Sequence, residues 1–167
     1  MNLVLKAQEF ATCKHSEINH LRKYTGEPYI VHPAEVVEIV KSVPHTDEML
    51  AAAWLHDTVE DTNTTIDEIE QEFGFKVMVY VRGLTDVSKP EDGNRKFRKF
   101  LDRKHISQQL PCVMTIKLAD LISNTYSITE HDPKFAKVYI AEKRLLLSDL
   151  KDGDKTLWKR AYKMAYK

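Results

Sequence analysis

The chain has 167 residues, 43% hydrophobic and 30% charged, which excludes disorder and fibrous architectures and is enough to bury one ordinary core. Lysine plus arginine and aspartate plus glutamate both number 25, so no net charge draws the protein toward nucleic acid or an anionic membrane; any anionic ligand must be held by a local pocket. Cys13 and Cys112 lie far apart without Cys-x-x-Cys spacing and read as reduced thiols, and the N-terminus has too short an apolar run for a signal peptide or a span. A soluble, cytoplasmic protein is expected, with neither membrane nor nucleic acid among its partners.

Five glycines, six prolines and few alternating runs predict helix nearly throughout, in an all-α fold of a single domain covering 1–167 without internal repeat or boundary. Leu3, Val4, Ala7, Phe10 and Ala11 recur at helical spacing, in a first helix expected to fray around His15 to His20. Tyr24 to Tyr29 is a turn-rich link. His32-Pro33 opens a second helix, since proline suits the first helical position. After an interruption at Pro44, Thr46 is the expected N-cap of a helix running into His56 and Asp57. Thr65 to Glu68 has capping-box spacing and starts a short helix closed by Phe73-Gly74. Val77, Val81 and Leu84 favour helix over strand for 75–87, and 88–94 is a polar loop. Arg95 to His105 is a basic helix, a long one runs from Pro111 through Thr129, and Asp132-Pro133 starts another. Beyond Gly153, Trp158, Tyr162 and Tyr166 stand four apart on a last helix, a stripe expected to pack in the core.

The densest chemistry lies at His56-Asp57-Thr58-Val59-Glu60-Asp61. In a continuous helix, His56 and Glu60, and Asp57 and Asp61, are four apart, and Asp57 and Glu60 are three apart, so all four converge on one face. A second polar stripe, Lys117, Asp120, Asn124 and Ser127, runs through an otherwise apolar helix. A buried Asp120 is costly unless paired or metal-bound; it is neutralised either by Lys117 or another cation, or by a metal. His32, directly before a helix-opening proline, supplies a second imidazole. His32, His56, Asp57 and Asp120 form a mixed nitrogen–oxygen set suited to Mn²⁺, Fe²⁺, Zn²⁺ or Mg²⁺ with positions open for water and substrate. Glu60 and Asp61 then stand placed to orient or deprotonate a metal-bound water, as hydrolysis of a phosphate ester or anhydride requires. His15, His20, His45, His105 and His131 read as histidines without a functional part.

Five blocks occur in order: Tyr-Thr-Gly-Glu-Pro-Tyr-Ile-Val-His-Pro (24–33), Trp-Leu-His-Asp-Thr-Val-Glu-Asp-Thr (54–62), Phe-Gly (73–74), Gly-Leu-Thr (83–85) and Lys-Leu-Ala-Asp…Asn (117–124). Together they resemble the HD-superfamily hydrolase domain of RelA/SpoT proteins, and the small stand-alone SpoT-like alarmone hydrolases in particular, from about Ala7 to Leu150. The resemblance implies an all-α HD-domain fold and Mn²⁺-dependent removal of the 3′-diphosphate of (p)ppGpp as pyrophosphate, with a guanine nucleotide alarmone as substrate. It matches His32, His56, Asp57 and Asp120 to the metal ligands and Glu60 and Asp61 to the acidic pair that activates water. Arg22-Lys23 matches a basic pair meeting base and phosphates, Asn124 an asparagine beside the nucleotide, and Tyr139 an aromatic residue flanking it. With Lys117 and Ser127 from the polar stripe, these are the candidate substrate contacts.

The chain departs from the family pattern in three places. One extra residue lies between Arg22-Lys23 and Gly26. Leu121-Ile122-Ser123 replaces the Arg and His that many relatives carry after Lys-Leu-Ala-Asp, removing a cation. The stretch 92–98 fits poorly, and its Arg95 and Arg98, with Arg103 beyond it, either contact phosphate or form a solvated face. Two other functions fit the residues: a phosphatase on another nucleotide, such as the 2′-phosphate of NADPH, or a catalytically idle domain that binds alarmone as a sensor.

Overall fold

A computed structural model describes residues 2–166. Regular structure among them is helical, apart from one isolated antiparallel bridge between Leu21 and Pro28. The chain divides into two units, Met1–Thr85 and Asp86–Lys167.

The first unit contains α1 (Leu3–Glu17), α2 (Val31–Lys41), α3 (Asp47–Leu55), α4 (Thr58–Asp61), α5 (Ile66–Phe73) and α6 (Phe75–Leu84). Its centre is α3, in which every residue from Met49 to Leu55 is buried. A helix apolar on all sides must be surrounded, and α1, α2 and α6 pack around it. Ala7 and Ala11 let α1 approach closely, while Val36, Val37 and Val40 of α2 and Val77 and Val81 of α6 fill the other sides. Each fully buried Leu or Val here contributes about 1.5–3 kcal/mol of transfer free energy. Both predicted N-caps form: Thr46 accepts from Met49 N and Thr65 from Glu68 N. Gly74, at φ +83°, closes α5 in a conformation that a side chain resists.

The first helix ends at Glu17, within the stretch expected, and buries His15 on its inner face. One expectation needs correction in this unit. The His56–Asp61 segment is not a continuous helix: α3 stops at Leu55, His56-Asp57 is a turn, and α4 restarts at Thr58. Side chains take the carbonyls that a continuing helix would use. His56 Nδ1 lies 2.8 Å from Ala53 O, and Thr58 Oγ1 donates to Leu55 O at 2.7 Å.

The second unit contains a 3₁₀ turn (Pro90–Asp92), α7 (Arg95–Ile106), α8 (Pro111–His131), α9 (Pro133–Asp149) and α10 (Lys155–Ala165). Val113, Ile116, Leu118, Ala119 and Ile122 make α8 its core, covered by α9 and α10. Buried Asp102 ties down the segment before α7, accepting from the backbone of Val87 and Ser88 and from Ser88 Oγ. Gly153 is required by closeness: a Cβ there would sit 2.8 Å from Leu118 Cδ1 and 3.2 Å from Met114. Asp154 then caps α10 through Thr156 N and Leu157 N.

The aromatic stripe of α10 is not in the core. Leu157, Ala161 and Ala165 face inward, and Tyr162 and Tyr166 are 41% and 50% exposed. The three rings stack on one another instead, at 5.1 Å from Trp158 to Tyr162 and 4.3 Å from Tyr162 to Tyr166. Small residues at every fourth inner position seat α10 too close for large rings to fit on that side.

Lys143 is the unusual member of this core. It is 1% exposed, and its ammonium donates to Thr125 Oγ1 at 2.7 Å; burial depresses its pKa to about 8. Its folded pKa lies below the unfolded value near 10.4, so the charge opposes folding at neutral pH and ceases to do so as pH rises through that interval. Lys143→Met is expected to raise stability at pH 7 by about 1–3 kcal/mol, an increment that shrinks toward pH 10; chemical denaturation at both pH values measures it.

Candidate metal centre

In the first unit a tight loop leads into the site. Gly26, at φ +71°, lets the chain reverse, with Arg22 N donating to Glu27 O at 2.8 Å and Tyr29 N to His20 O at 3.0 Å. The chain leaves this loop into α2, whose second residue, His32, is 1% exposed. From the turn after α3 come His56, 2% exposed, and Asp57, at 18%. One ligating atom from each of His32, His56 and Asp57 lies within 4.8 Å of the others.

The tautomer of His56 decides what this cluster is. Nδ1 faces a backbone carbonyl, which can only accept, so Nδ1 carries a proton and, in the neutral ring, Nε2 is the nitrogen left to bind a metal. Nε2 lies 3.0 Å from Asp57 Oδ2, and His32 Nε2 approaches the same oxygen at 3.6 Å. At such distances the carboxylate is balanced by a proton on a ring nitrogen or by a cation among the three. Two ligands each ~2.1 Å from one ion are themselves ~3–4 Å apart, so the spacing suits a shared divalent ion. These residues fit a divalent metal, with a backbone-oriented imidazole of the kind metal sites use.

Other side chains gather around the three. The Tyr29 hydroxyl donates to Asp57 Oδ2 at 2.6 Å. Glu60 and Asp61, on α4, are exposed. The protein around the Asp61 carboxyl raises its pKa even so, with the Asp57 charge adding to this and a hydrogen bond from Tyr29 opposing it. Arg22 lies over the Tyr29 ring, 5.7 Å from guanidinium to centroid, and Lys23 over Tyr24 at 5.0 Å. His15 faces His20 with its Nδ1 3.1 Å from the His20 Nδ1. Burial lowers the His15 pKa to about 4, so it is neutral at physiological pH.

In the second unit, α8 aligns the predicted stripe. Asp120 is buried; Lys117 Nζ lies 3.1 Å from its Oδ2, and Asn124 Nδ2 donates to its Oδ1 at 2.6 Å. The lysine neutralisation offered by the sequence is therefore formed, and it leaves Asp120 oriented on both oxygens. Ser127 follows one turn on, half-buried. Tyr139 of α9 is half-buried, with its hydroxyl 3.4 Å from Leu121 O, and burial followed by the Asp120 charge raises its pKa. Arg95 makes a two-pronged pair with Glu142 at 2.7 and 2.8 Å, and Arg103 pairs with Asp149 at 2.6 Å, which gives both arginines structural partners.

Sequence reasoning brought His32, His56 and Asp57 together correctly within the first unit. It passed over Tyr29, whose presence in the Gly-Glu-Pro-Tyr block was the available signal, and set aside His15 and His20, which flank it. Lys143 also went unremarked, although it lies four residues after Tyr139 and four before the buried Leu147.

Comparison with known proteins adds a family to this geometry. Residues 7–147 match the HD domain model. A zebrafish (Danio rerio) guanosine-3′,5′-bis(diphosphate) 3′-pyrophosphohydrolase, MESH1, is 37% identical over 134 residues, covering 79% of this chain and 72% of that protein. An Aquifex aeolicus enzyme with the same activity in its name is 34% identical over 125 residues, 75% of this chain but 18% of that longer protein. A solved structure described as a metazoan orthologue of SpoT that hydrolyses ppGpp superposes with a TM-score of 0.86 at 24% identity, covering 98% of this chain and 94% of that one. At that identity the superposition speaks for the fold. No helix among the described residues is long and apolar enough to cross a membrane.

The His15 shift has a thermodynamic consequence. Its folded pKa of about 4 lies below the unfolded value near 6.5, so the unfolded chain binds more protons between the two. Stability present above pH 6.5 is lost as pH falls toward 4, by about 3 kcal/mol at full protonation. Denaturant titrations of metal-free protein across pH 4–7 are expected to show this slope, and His15→Gln to flatten it.

Proposed function

This chain belongs to the HD-domain family of metal-dependent phosphohydrolases, and from that premise we propose that it removes the 3′-diphosphate of (p)ppGpp as pyrophosphate, leaving GDP or GTP. The observation that carries the reading is the convergence of His32, His56 and Asp57, with His56 Nδ1 bonded to Ala53 O so that Nε2 faces the Asp57 carboxylate. The names of the MESH1 and Aquifex relatives support the substrate.

The proposed metal ligands are His32, His56, Asp57 and, carried over by its Lys-Leu-Ala-Asp motif, Asp120. The proposed ion is Mn²⁺, which nitrogen and oxygen donors without thiolate accommodate. When bound, it supplies Lewis acidity toward a phosphoryl oxygen and lowers the pKa of water. Glu60 and Asp61 orient the attacking water and accept its proton. Attack falls on the phosphorus joined to the ribose 3′ oxygen; the phosphorus–oxygen bond breaks, pyrophosphate departs, and the 3′ oxygen takes up a proton. Lys117, Arg22 and Lys23 meet the phosphate charges, while Asn124, Ser127 and Tyr139 contact the nucleotide. The whole of 1–167 acts as one HD-type domain, in keeping with a family match that runs through Thr85 and Asp86. With reduced cysteines, it works in the cytoplasm.

Purified protein incubated with Mn²⁺ and ppGpp is expected to yield GDP and pyrophosphate, identified by mass. Orthophosphate from NADPH, with ppGpp untouched, would assign the site to another nucleotide; tight ppGpp binding without turnover would make it a sensor. Asp57→Asn is expected to abolish metal loading. A Glu60→Gln, Asp61→Asn double variant is expected to keep the metal and turn over about 10²–10⁴-fold more slowly, and native turnover would refute the roles given to that pair.

A further inference from the structure

We infer that Tyr29 is a positioning residue for the metal-binding carboxylate: its hydroxyl holds Asp57 Oδ2 in place, and its stack with His20 holds the hydroxyl. The inference rests on the reading of His32, His56 and Asp57 as a divalent-metal site.

Asp57 needs such a partner. It lies in the turn between α3 and α4, half-buried, with no side-chain cap bond to the helix that follows. A carboxylate in that setting can rotate about its side-chain torsions, and rotation would carry Oδ2 out of the cluster. The Tyr29 hydroxyl reaches that oxygen at 2.6 Å, a length typical of a phenol donating to a carboxylate. The same oxygen is the one that faces His56 Nε2 and His32 Nε2. This donor therefore holds the carboxylate oxygen that is presented to the imidazoles.

Tyr29 is itself held firmly. Its ring lies parallel to His20, 3.8 Å between centroids and 8° between planes, with His15 at 4.8 Å and the edge of His32 at 5.8 Å. Its backbone is bonded on both sides, N to His20 O and O to His32 N, each at 3.0 Å. A continuous run of contacts thus leads from His15, buried on α1, through His20 and Tyr29 to Asp57. The plainer alternative is a tyrosine that merely packs, its hydroxyl satisfied wherever it falls. The two differ in what loss of the hydroxyl alone does to the metal.

Outer donors to metal ligands typically change metal affinity 10–100-fold when removed. Isothermal titration of metal-free protein with MnCl₂ compares wild type, Tyr29→Phe, His20→Ala and Asp57→Asn. Tyr29→Phe keeps the ring and its stack, so its metal-free thermal midpoint is expected within a few degrees of wild type while its affinity for Mn²⁺ falls 10–100-fold. His20→Ala keeps the hydroxyl and frees the ring, and a loss of a few-fold is expected. Wild-type affinity in Tyr29→Phe overturns the inference; should that variant not fold, wild-type affinity in His20→Ala does so. Loss of Mn²⁺ in Asp57→Asn together with full retention in Tyr29→Phe sinks the positioning role alone. A wild type that binds no Mn²⁺ sinks the metal site with it.

Discussion

Within the first unit everything chemical is organised around one oxygen atom. Asp57 Oδ2 has the Tyr29 hydroxyl at 2.6 Å, His56 Nε2 at 3.0 Å and His32 Nε2 at 3.6 Å. The bond from His56 Nδ1 to Ala53 O turns the other ring nitrogen, Nε2, toward that oxygen. A carboxylate oxygen flanked by two buried imidazole nitrogens is a donor set suited to a divalent cation.

Building that cluster constrains the surrounding fold. α3 is apolar on every side and so rigidly enclosed that its C-terminal end is a fixed point from which His56 and Asp57 project. The two project from the turn that follows it, which side-chain bonds to Ala53 O and Leu55 O hold in place. The loop from His20 to Tyr29 and the entry to α2 close the other side. In the second unit a comparable economy operates on α8, where Lys117 and Asn124 each hold one oxygen of Asp120.

Much of this was legible in the sequence because local signals and chemistry agreed. Thr46 and Thr65 cap as expected, Pro111 opens its helix, and the breaks at Gly74 and Gly153 fall where glycine stands, whereas α2 starts two residues before Pro33 and takes His32 inside it. The misreadings share one cause, periodicity taken as decisive where packing competes with it. Trp158, Tyr162 and Tyr166 have core spacing, but Ala161 and Ala165 let α10 sit so close that the two tyrosine rings are left outside and Trp158 is half-buried, its indole N–H donating to Leu147 O. The spacing of His56, Asp57, Glu60 and Asp61 suggested one helix, yet a histidine and a threonine able to bond backward to carbonyls ended it at Leu55.

The sequence by itself determined the helical class, the caps and the presence of two histidines and an aspartate in motifs suited to a metal, because these depend on residue type and on neighbours a few positions away. Only the tertiary structure decided that Tyr29 bonds Asp57, that His15 and His20 stand behind it, and that Lys143 lies buried beside Thr125. The bonds of Tyr29 to Asp57 and of Lys143 to Thr125 join residues 28 and 18 positions apart and depend on how closely two backbones approach. That approach is set by the summed volumes of side chains in the core, a property of the packed chain and not of any single stretch of it.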